Sequence, residues 1–281
     1  MKTIFTTKCL VIFGLSITLW FQANLLNAQF TPQLSGISNS GTVLSDDTPP
    51  RLMLVNDKSF VPNGTGSVIP HKSATNVNSL SISIIESQSE NVGHDMDLNW
   101  QAVATNMGHV ATILPQTTLD NSDFFSTTDI LVISSGVIDI PINRRQIIQQ
   151  WVEEGGPLYI QAEYLPTYAS NQTFQEIVNN LGGVFAWGFT VSGELSPMNI
   201  SGILSTTPNS VPYLTYFWYG TEGSGNETIE ENMEFGGQYF GFIFTPPNPD
   251  YGIIITNSDQ DWAREGAEKE IFMENIKKNI M

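Results

Sequence analysis

Cysteine is almost absent from this chain: Cys9 is the single one, and it lies in an apolar stretch near the N-terminus. Lys2 and Lys8 precede that stretch, which runs over about 9–21, and the small-residue sequence 26–28 follows it. This is the pattern of a secretory signal, so we expect 1–28 to be removed and the protein to be exported to the periplasm, the cell surface or the medium. The mature protein would have no disulfide, no thiolate metal site and no cysteine nucleophile. A retained anchor is the alternative, although a membrane span needs about 20 apolar residues.

Positive charge is also scarce, with 11 Lys and Arg against 28 Asp and Glu. Loss of the two charges of Lys2 and Lys8 with the signal takes the formal net charge from −17 to −19. A surface this negative repels nucleic acids and anionic membranes, so we expect neither partner and no membrane insertion after the signal is removed. An acidic solvated surface, divalent cations and neutral ligands all remain compatible with this charge.

The remaining chain reads as a flexible leader followed by one domain. Residues 29–50 are rich in Ser, Thr, Gly and Pro, which is typical of a linker. From 51 to 281 the hydrophobic pattern predicts a single α/β domain with insertions at about 58–96 and 190–245.

Short apolar runs predict the strands of this domain, and apolar residues at helical spacing predict its helices. Leu80, Ile82 and Ile84 alternate with serines, which favours a half-exposed strand at a sheet edge. The other predicted strands are 51–55, 110–114, 130–133, 158–160, 184–187 and 252–256. Helices are predicted after Asp97, around 147–152, over 170–181 and around 271–276.

The sequence helix, Gly-Gly, strand occurs twice, ending at 158–160 and at 184–187. Such crossovers place parallel strands side by side. The expected fold is therefore a three-layer, doubly wound, mostly parallel sheet of the flavodoxin-like kind. The aromatic runs 213–219 and 238–244 flank an acidic, Gly-rich loop, which predicts an inserted β-hairpin.

Five segments in this order and spacing resemble the class I glutamine amidotransferase-like superfamily, and within it the exported, trehalose-utilisation-type branch. They are 51–57, 129–134, 151–160, 252–256 and 257–262. The resemblance implies the flavodoxin-like fold over about 50–281, apart from the two insertions. Glutamine amidotransferases place a cysteine on the turn after the strand matching 158–160, whereas this chain has Gln161, Ala162, Glu163 and Tyr164 there. Without a thiolate to form the glutamyl thioester, the resemblance does not extend to glutaminase activity.

Four acids follow predicted strands at the carboxyl edge of the sheet, where open α/β folds bind ligands. They are Asp57, Glu163, Asp259 and Asp261. They could bind a polar ligand, hold Ca²⁺ or Mg²⁺ through hard oxygen ligands, act as an acid or base, or simply cap helices. The sequence assigns no catalytic residue among them and requires no cofactor.

Aromatic side chains near the predicted hairpin could stack on sugar rings or fill the core. Trp218 and Tyr164 are the candidates for ligand contact. We therefore expect a secreted binding or accessory domain for a glycan or another neutral polar ligand. The alternatives are a hydrolase that uses a rim carboxylate or a metal-bound water, and a structural component of the cell surface.

Overall fold

The computed structural model describes residues 79–87, 96–265 and 268–281. The predicted signal, the leader, the strand 51–55 and Asp57 lie outside these residues. In the described part no helix is both long enough and apolar enough to cross a membrane.

The described chain is a mixed α/β structure built on one nine-stranded sheet. Its strands are β1 (Ser81–Ile85), β2 (Val110–Leu114), β3 (Ile130–Ile133), β4 (Leu158–Gln161), β5 (Phe185–Ile200), β6 (Tyr213–Gly225), β7 (Ile229–Phe235), β8 (Gln238–Phe244) and β9 (Ile254–Asn257). Its helices are α1 (Asp97–Asn106), α2 (Ile142–Glu153), α3 (Ala169–Asn180), α4 (Asp261–Glu265) and α5 (Lys269–Asn279). Short 3₁₀ turns occupy Gln116–Asp120, Phe125–Thr127 and Ile203–Ser205.

The strand order is β2-β1-β3-β4-β9-β8-β6-β5-β7. The first five of these strands are parallel, and the pairings from β9 onward are antiparallel. Strand β7 pairs with both β5 and β8, so the four antiparallel strands close on themselves.

Hydrophobic residues from alternate positions of the strands form two clusters. Val132 and Tyr159 belong to the cluster that α1 and α5 cover, whereas Ile133 and Ile160 belong to the cluster that α2 and α3 cover. The stripe predicted on α3 is confirmed, since Phe174, Ile177, Val178 and Leu181 are all buried.

Strand β1 corrects the expectation of a half-exposed edge strand. It lies between β2 and β3, and it is β2 that ends the sheet in the described part of the chain. The serines that suggested exposure are accommodated by hydrogen bonds: Ser83 is buried, and its hydroxyl lies 2.6 Å from the hydroxyl of Thr128. A short polar side chain with a partner can occupy an interior strand.

The second predicted crossover is also wrong. Strand β4 does follow α2 and pairs in parallel with β3, as predicted. Strand β5 follows α3, but it pairs in antiparallel fashion with β6 and β7 and has no pairing with β4. The position after β4 in the sheet is taken by β9, whose residues pair with β4 residues 96 positions earlier, as Leu158 does with Ile254.

The aromatic hairpin is corrected in the same region. Runs 213–219 and 238–244 belong to β6 and β8, which share the pair Gly223 and Tyr239, but β7 lies between them in sequence. The tight hairpin is formed by β7 and β8 around Gly236 and Gly237, both of which have positive φ angles. Glycine adopts that conformation without steric cost, which suits a two-residue turn.

Candidate functional site

Three of the four predicted acids lie at one place in the sheet. Strands β4 and β9 are parallel neighbours in the register Gln161 to Asn257, so their carboxyl ends lie side by side. Glu163 comes two residues after β4, and Asp259 comes two residues after β9. Asp261 begins α4 and adds its negative charge to the surroundings of both. Asp57, the fourth predicted acid, lies outside the described residues.

The backbone of Glu163 is fixed by side chains from three other elements. The Asn171 amide, in the first turn of α3, accepts a hydrogen bond from Glu163 N at 2.8 Å and donates one to Glu163 O at 2.9 Å. The same carbonyl accepts the hydroxyls of Thr221 at 2.9 Å and Ser258 at 3.3 Å. A turn held by this many bonds has one conformation, which is the condition for placing a functional side chain accurately.

Gly136 completes the support of this turn. A Cβ atom at Gly136 would lie 2.5 Å from Cγ of Glu163 and 2.6 Å from its Cβ. The loop after β3 can therefore approach the Glu163 side chain this closely because the residue is glycine.

The Glu163 carboxyl is almost fully buried, with 3% of the residue exposed. Its Oε1 accepts a hydrogen bond from Gln260 N and its Oε2 accepts one from Tyr164 N, each at 3.1 Å. Burial raises the pKa of Glu163 to about 7, the two amide donors oppose that rise, and the negative charge of Asp261 adds to it. Near neutral pH this carboxyl is therefore divided between its protonated and ionised forms.

Asp259, which follows β9, supports strand β6. It is 1% exposed and has a φ angle of 70°, a left-handed conformation that Asp tolerates better than most residues. Its Oδ2 accepts hydrogen bonds from Trp218 N at 2.5 Å and Tyr219 N at 3.2 Å, and its Oδ1 accepts one from Asp261 N at 2.8 Å. Burial raises the pKa of Asp259, as do the charges of Glu163 and Asp261, while the amide donors oppose the shift.

The bonds to Asp259 explain why two consecutive aromatic residues of β6 face solvent. The register between β5 and β6 breaks here, because Tyr219 pairs with Ser192 whereas Phe217 pairs with Ser196. At this break the amides of Trp218 and Tyr219 turn to the Asp259 carboxylate. Trp218 is 39% exposed and Tyr219 is 45% exposed, whereas Phe217, Phe240, Phe242 and Phe244 are buried in the core.

These side chains line an open cleft of about 630 Å³. Its lining residues are Glu163, Tyr164, Leu165, Thr190, Trp218, Tyr219 and Asp261. The ring centroids of Trp218 and Tyr219 are 6.3 Å apart with 27° between the ring planes, and Tyr164 lies 6.3 Å from Tyr219. The cleft therefore combines aromatic walls with carboxyl groups. It brings the candidate residues Tyr164 and Trp218 together with the acids Glu163 and Asp261.

Metal binding and histidine chemistry have little support in the described residues. Among them no three His, Cys, Asp or Glu side chains are arranged to hold a metal ion, so the Ca²⁺ or Mg²⁺ site stays a prediction. His109 lies at the start of β2, where its Nδ1 accepts a hydrogen bond from Leu80 N at 3.1 Å and its Nε2 contacts Lys277. It is absent from the cleft lining.

The sequence reasoning missed the residues that position the acids. Asn171, Thr221 and Ser258 bond to the Glu163 backbone and Gly136 lies against its side chain, and no local sequence pattern marks such contacts. Gln260 is buried and lies between the predicted acids Asp259 and Asp261 in the sequence. Its position in a polar run directly after an apolar strand could have marked it as part of the site.

Comparison with known proteins gives the fold and no family assignment. No protein-family model matches the chain, and no curated protein matches it. Two solved proteins described as cytoplasmic, both from Salmonella typhimurium, each align with 72% of this chain at 12% identity and a TM-score of 0.51, over 99% and 98% of their own chains. A protein described as ThuA-like from Bacteroides uniformis aligns with 70% of this chain and 89% of its own, at 13% identity and a TM-score of 0.46. At these identities the likeness concerns the α/β fold alone.

Proposed function

We propose that this protein is a binding or accessory module that holds a polyhydroxylated ligand, such as a glycan, in the cleft at the carboxyl ends of β4 and β9. The observation that carries the proposal is the open wall formed by Trp218 and Tyr219 beside the carboxyls of Glu163 and Asp261. Aromatic faces pack on the apolar C–H faces of sugar rings, and carboxyl oxygens accept hydrogen bonds from hydroxyl groups.

The solvent exposure of these rings supports ligand binding over a purely structural role. Large aromatic side chains on strands are normally buried, as Phe217 is on the same strand. Here Asp259 uses a strained left-handed backbone to hold two of them open to solvent. Such strain tends to persist where it serves a site.

A hydrolase is the second candidate, and the Glu163 carboxyl favours it. A carboxyl whose pKa is raised to about 7 by burial can give and take a proton at neutral pH. Asp261 lines the same cleft and would be the second carboxylate of such a reaction. Release of reducing ends from a bound oligosaccharide, lost in Glu163→Gln, would establish hydrolysis; binding without turnover would leave the accessory role.

The finer fold and family assignment belong to the same proposal. The order β2-β1-β3-β4-β9, with all five strands parallel, matches the flavodoxin-like order. We infer a flavodoxin-like, three-layer core of the class I glutamine amidotransferase-like superfamily, in which Glu163 stands on the turn that carries cysteine in the amidotransferases. We also propose that the protein is exported, on the basis of the signal predicted at 1–28.

The test is a calorimetric and thermal-melting screen of the protein against oligosaccharides. A ligand that binds the folded state alone raises the free energy of unfolding by about 2.7 kcal/mol at a hundredfold excess over its Kd. Tyr219→Ala and Trp218→Ala should abolish the shift. Tyr213→Ala is the matched control, because Tyr213 lies on the same strand, is 44% exposed and is not part of the cleft. An equal loss in the control, or no binding to any oligosaccharide, would refute the proposal.

A further inference from the structure

The Glu163 carboxyl lacks a cationic partner in the described part of the chain. Both of its oxygens accept hydrogen bonds from backbone amides, and no Lys or Arg whose side chain the structure describes forms an ion pair with it. Arg144 forms an ion pair with Asp120 at 2.7 Å, and Arg145 forms one with Glu176 at 3.1 Å. When Glu163 is ionised, the dipoles of these two amides stabilise its charge.

The described lining of the cleft is also acidic. None of the seven lining residues that the structure describes is cationic, and two of them are carboxylic acids. Asp259 lies directly behind the wall, where its carboxylate is bonded to the amides of Trp218 and Tyr219. A ligand with a positive group would supply a counter-charge to Glu163, whereas an anionic ligand would meet like charge.

The aromatic walls favour the same kind of ligand. The faces of Trp and Tyr rings are electron-rich and attract a cation that lies within about 6 Å of the ring centroid. Tyr164, Tyr219 and Trp218 follow one another at centroid separations of 6.3 Å, and Tyr168 lies 5.5 Å from Tyr164. An ammonium group that enters the cleft can therefore contact ring faces and a carboxylate together.

We propose that the cleft selects ligands that carry an ammonium group, specifically amino sugars, with the ammonium placed between Glu163 and the rings of Tyr164, Trp218 and Tyr219. This rests on the proposed glycan-binding function and narrows it from glycans in general to those with a free amine. It replaces the expectation of a neutral ligand.

Ammonium binding at this position couples to the Glu163 proton. The described titratable groups that interact with the carboxyl are Asp261 at the start of α4, Asp259 after β9 and the hydroxyl of Tyr168. Burial raises the pKa of Glu163 to about 7, so near neutral pH part of the protein carries a protonated Glu163. Because the cation binds the ionised carboxylate, its binding releases a proton from the molecules in which Glu163 is protonated. Affinity for a cation of fixed charge should then rise about tenfold between pH 6 and pH 8, because the ionised fraction rises from about one tenth to about nine tenths.

The decisive experiment is calorimetry with glucosamine trimer and its N-acetylated counterpart, which share one skeleton and differ in charge. We expect the free amine to bind at least about tenfold more tightly, equivalent to about 1.4 kcal/mol. Choline, whose charge does not titrate, supplies the pH series. Glu163→Gln should remove both the preference and the pH dependence, and Glu153→Gln, an exposed change on α2, should alter neither.

Each result separates this inference from the function on which it rests. Equal or tighter binding of the acetylated trimer would overturn the ammonium preference and leave glycan binding in place. Binding of choline without either trimer would overturn the glycan function and the assignment to amino sugars, and would leave a site for a small ammonium ligand. Binding of none of the three would overturn the ammonium site as well. If Glu163→Gln does not fold, Trp218→Leu serves instead, because it keeps apolar contact at a half-exposed position but removes the ring; an undiminished preference in that variant would contradict the proposal.

Discussion

Glu163 makes the stability of the protein depend on pH. Its pKa is about 7 when folded against an ordinary value of 4.5, so between these values the folded state holds a proton that the unfolded state has lost. The stability from this group is fully present below about pH 4.5, declines as pH rises and is gone above about pH 7. The loss is on the order of 3 kcal/mol, because one pKa unit corresponds to about 1.4 kcal/mol.

Replacement of Glu163 by glutamine should remove this dependence. We expect the free energy of unfolding of Glu163→Gln, relative to the wild type, to rise by about 2.5 kcal/mol from pH 5 to pH 8. Urea unfolding at several pH values measures this difference. Glu153→Gln should show a flat difference, and a flat difference for Glu163→Gln as well would mean that Glu163 ionises normally.

At position 259 a glycine substitution should destabilise the protein less than an alanine substitution, which is the reverse of the usual order. Both substitutions leave the amides of Trp218, Tyr219 and Asp261 without their acceptor. Glycine adopts the φ angle of 70° freely, whereas a left-handed conformation costs alanine about 1–2 kcal/mol. Asp259→Gly should therefore be more stable than Asp259→Ala by about 1 kcal/mol, as judged from denaturant midpoints. Asp259→Asn, which keeps one acceptor oxygen, should be the mildest; greater stability of the alanine variant would show that the backbone relaxes out of this conformation.

At the scale of the elements, the contact between α3 and the turn after β4 positions the site, through the hydrogen bonds of Asn171 to the Glu163 backbone. Asn171→Ala removes both hydrogen bonds to the Glu163 backbone and leaves its buried amide without an acceptor, which should cost about 2–3 kcal/mol and weaken ligand binding. Asn180→Ala is the control on the same helix, since its bond to Gln149 is exposed and its loss should change stability by less than about 0.5 kcal/mol. Similar losses in unfolding and calorimetric measurements for the two variants would show that the Asn171 clamp is not needed.

The helices and strands that could be predicted from the sequence are those that are determined by residues close together in the chain. The stripe of α3, the strands β2, β3 and β4 and the terminal helix all follow from local periodicity. Strand neighbours do not: β5 follows a helix and two glycines, as β4 does, but its direction is set by β6, which lies further along the chain. The exposure of β1 was misjudged for the same reason, because the Thr128 partner of Ser83 is 45 residues away.

The candidate site shows the same division. The acids were predictable because parallel strands bring their carboxyl ends to one edge, and Glu163 and Asp259 each stand two residues beyond a strand. Their roles were not predictable, since Asp259 is bonded to amides 40 and 41 residues away, and Asn171 reaches Glu163 across the turn before α3. These contacts exist only once β6 and β9 belong to one sheet.

On the scale of the whole molecule, the parallel and antiparallel parts of the sheet share their cores. The cluster covered by α1 and α5 contains Ile84 and Val132 from the parallel strands together with Phe240 and Ile243 from β8. The other cluster joins Ile133 to Phe185 and Phe244. Strand β9 is bonded to both parts, in parallel to β4 and in antiparallel fashion to β8. Neither part can bury its apolar surface without the other.

The described residues should therefore unfold in one cooperative transition. Far-ultraviolet circular dichroism and tryptophan fluorescence should give coincident denaturant midpoints, because Trp100 and Trp151 lie on helices of the parallel part and Trp187 lies on β5. Ile84→Val and Ile243→Val each remove one buried methylene, the first from the parallel part and the second from the antiparallel part. Each should lower the free energy of unfolding by about 0.5–1.5 kcal/mol and shift the midpoints of both probes together. If Ile243→Val shifted one probe and not the other, the antiparallel strands would be an independent folding unit, and the wall formed by Trp218 and Tyr219 could move relative to Glu163.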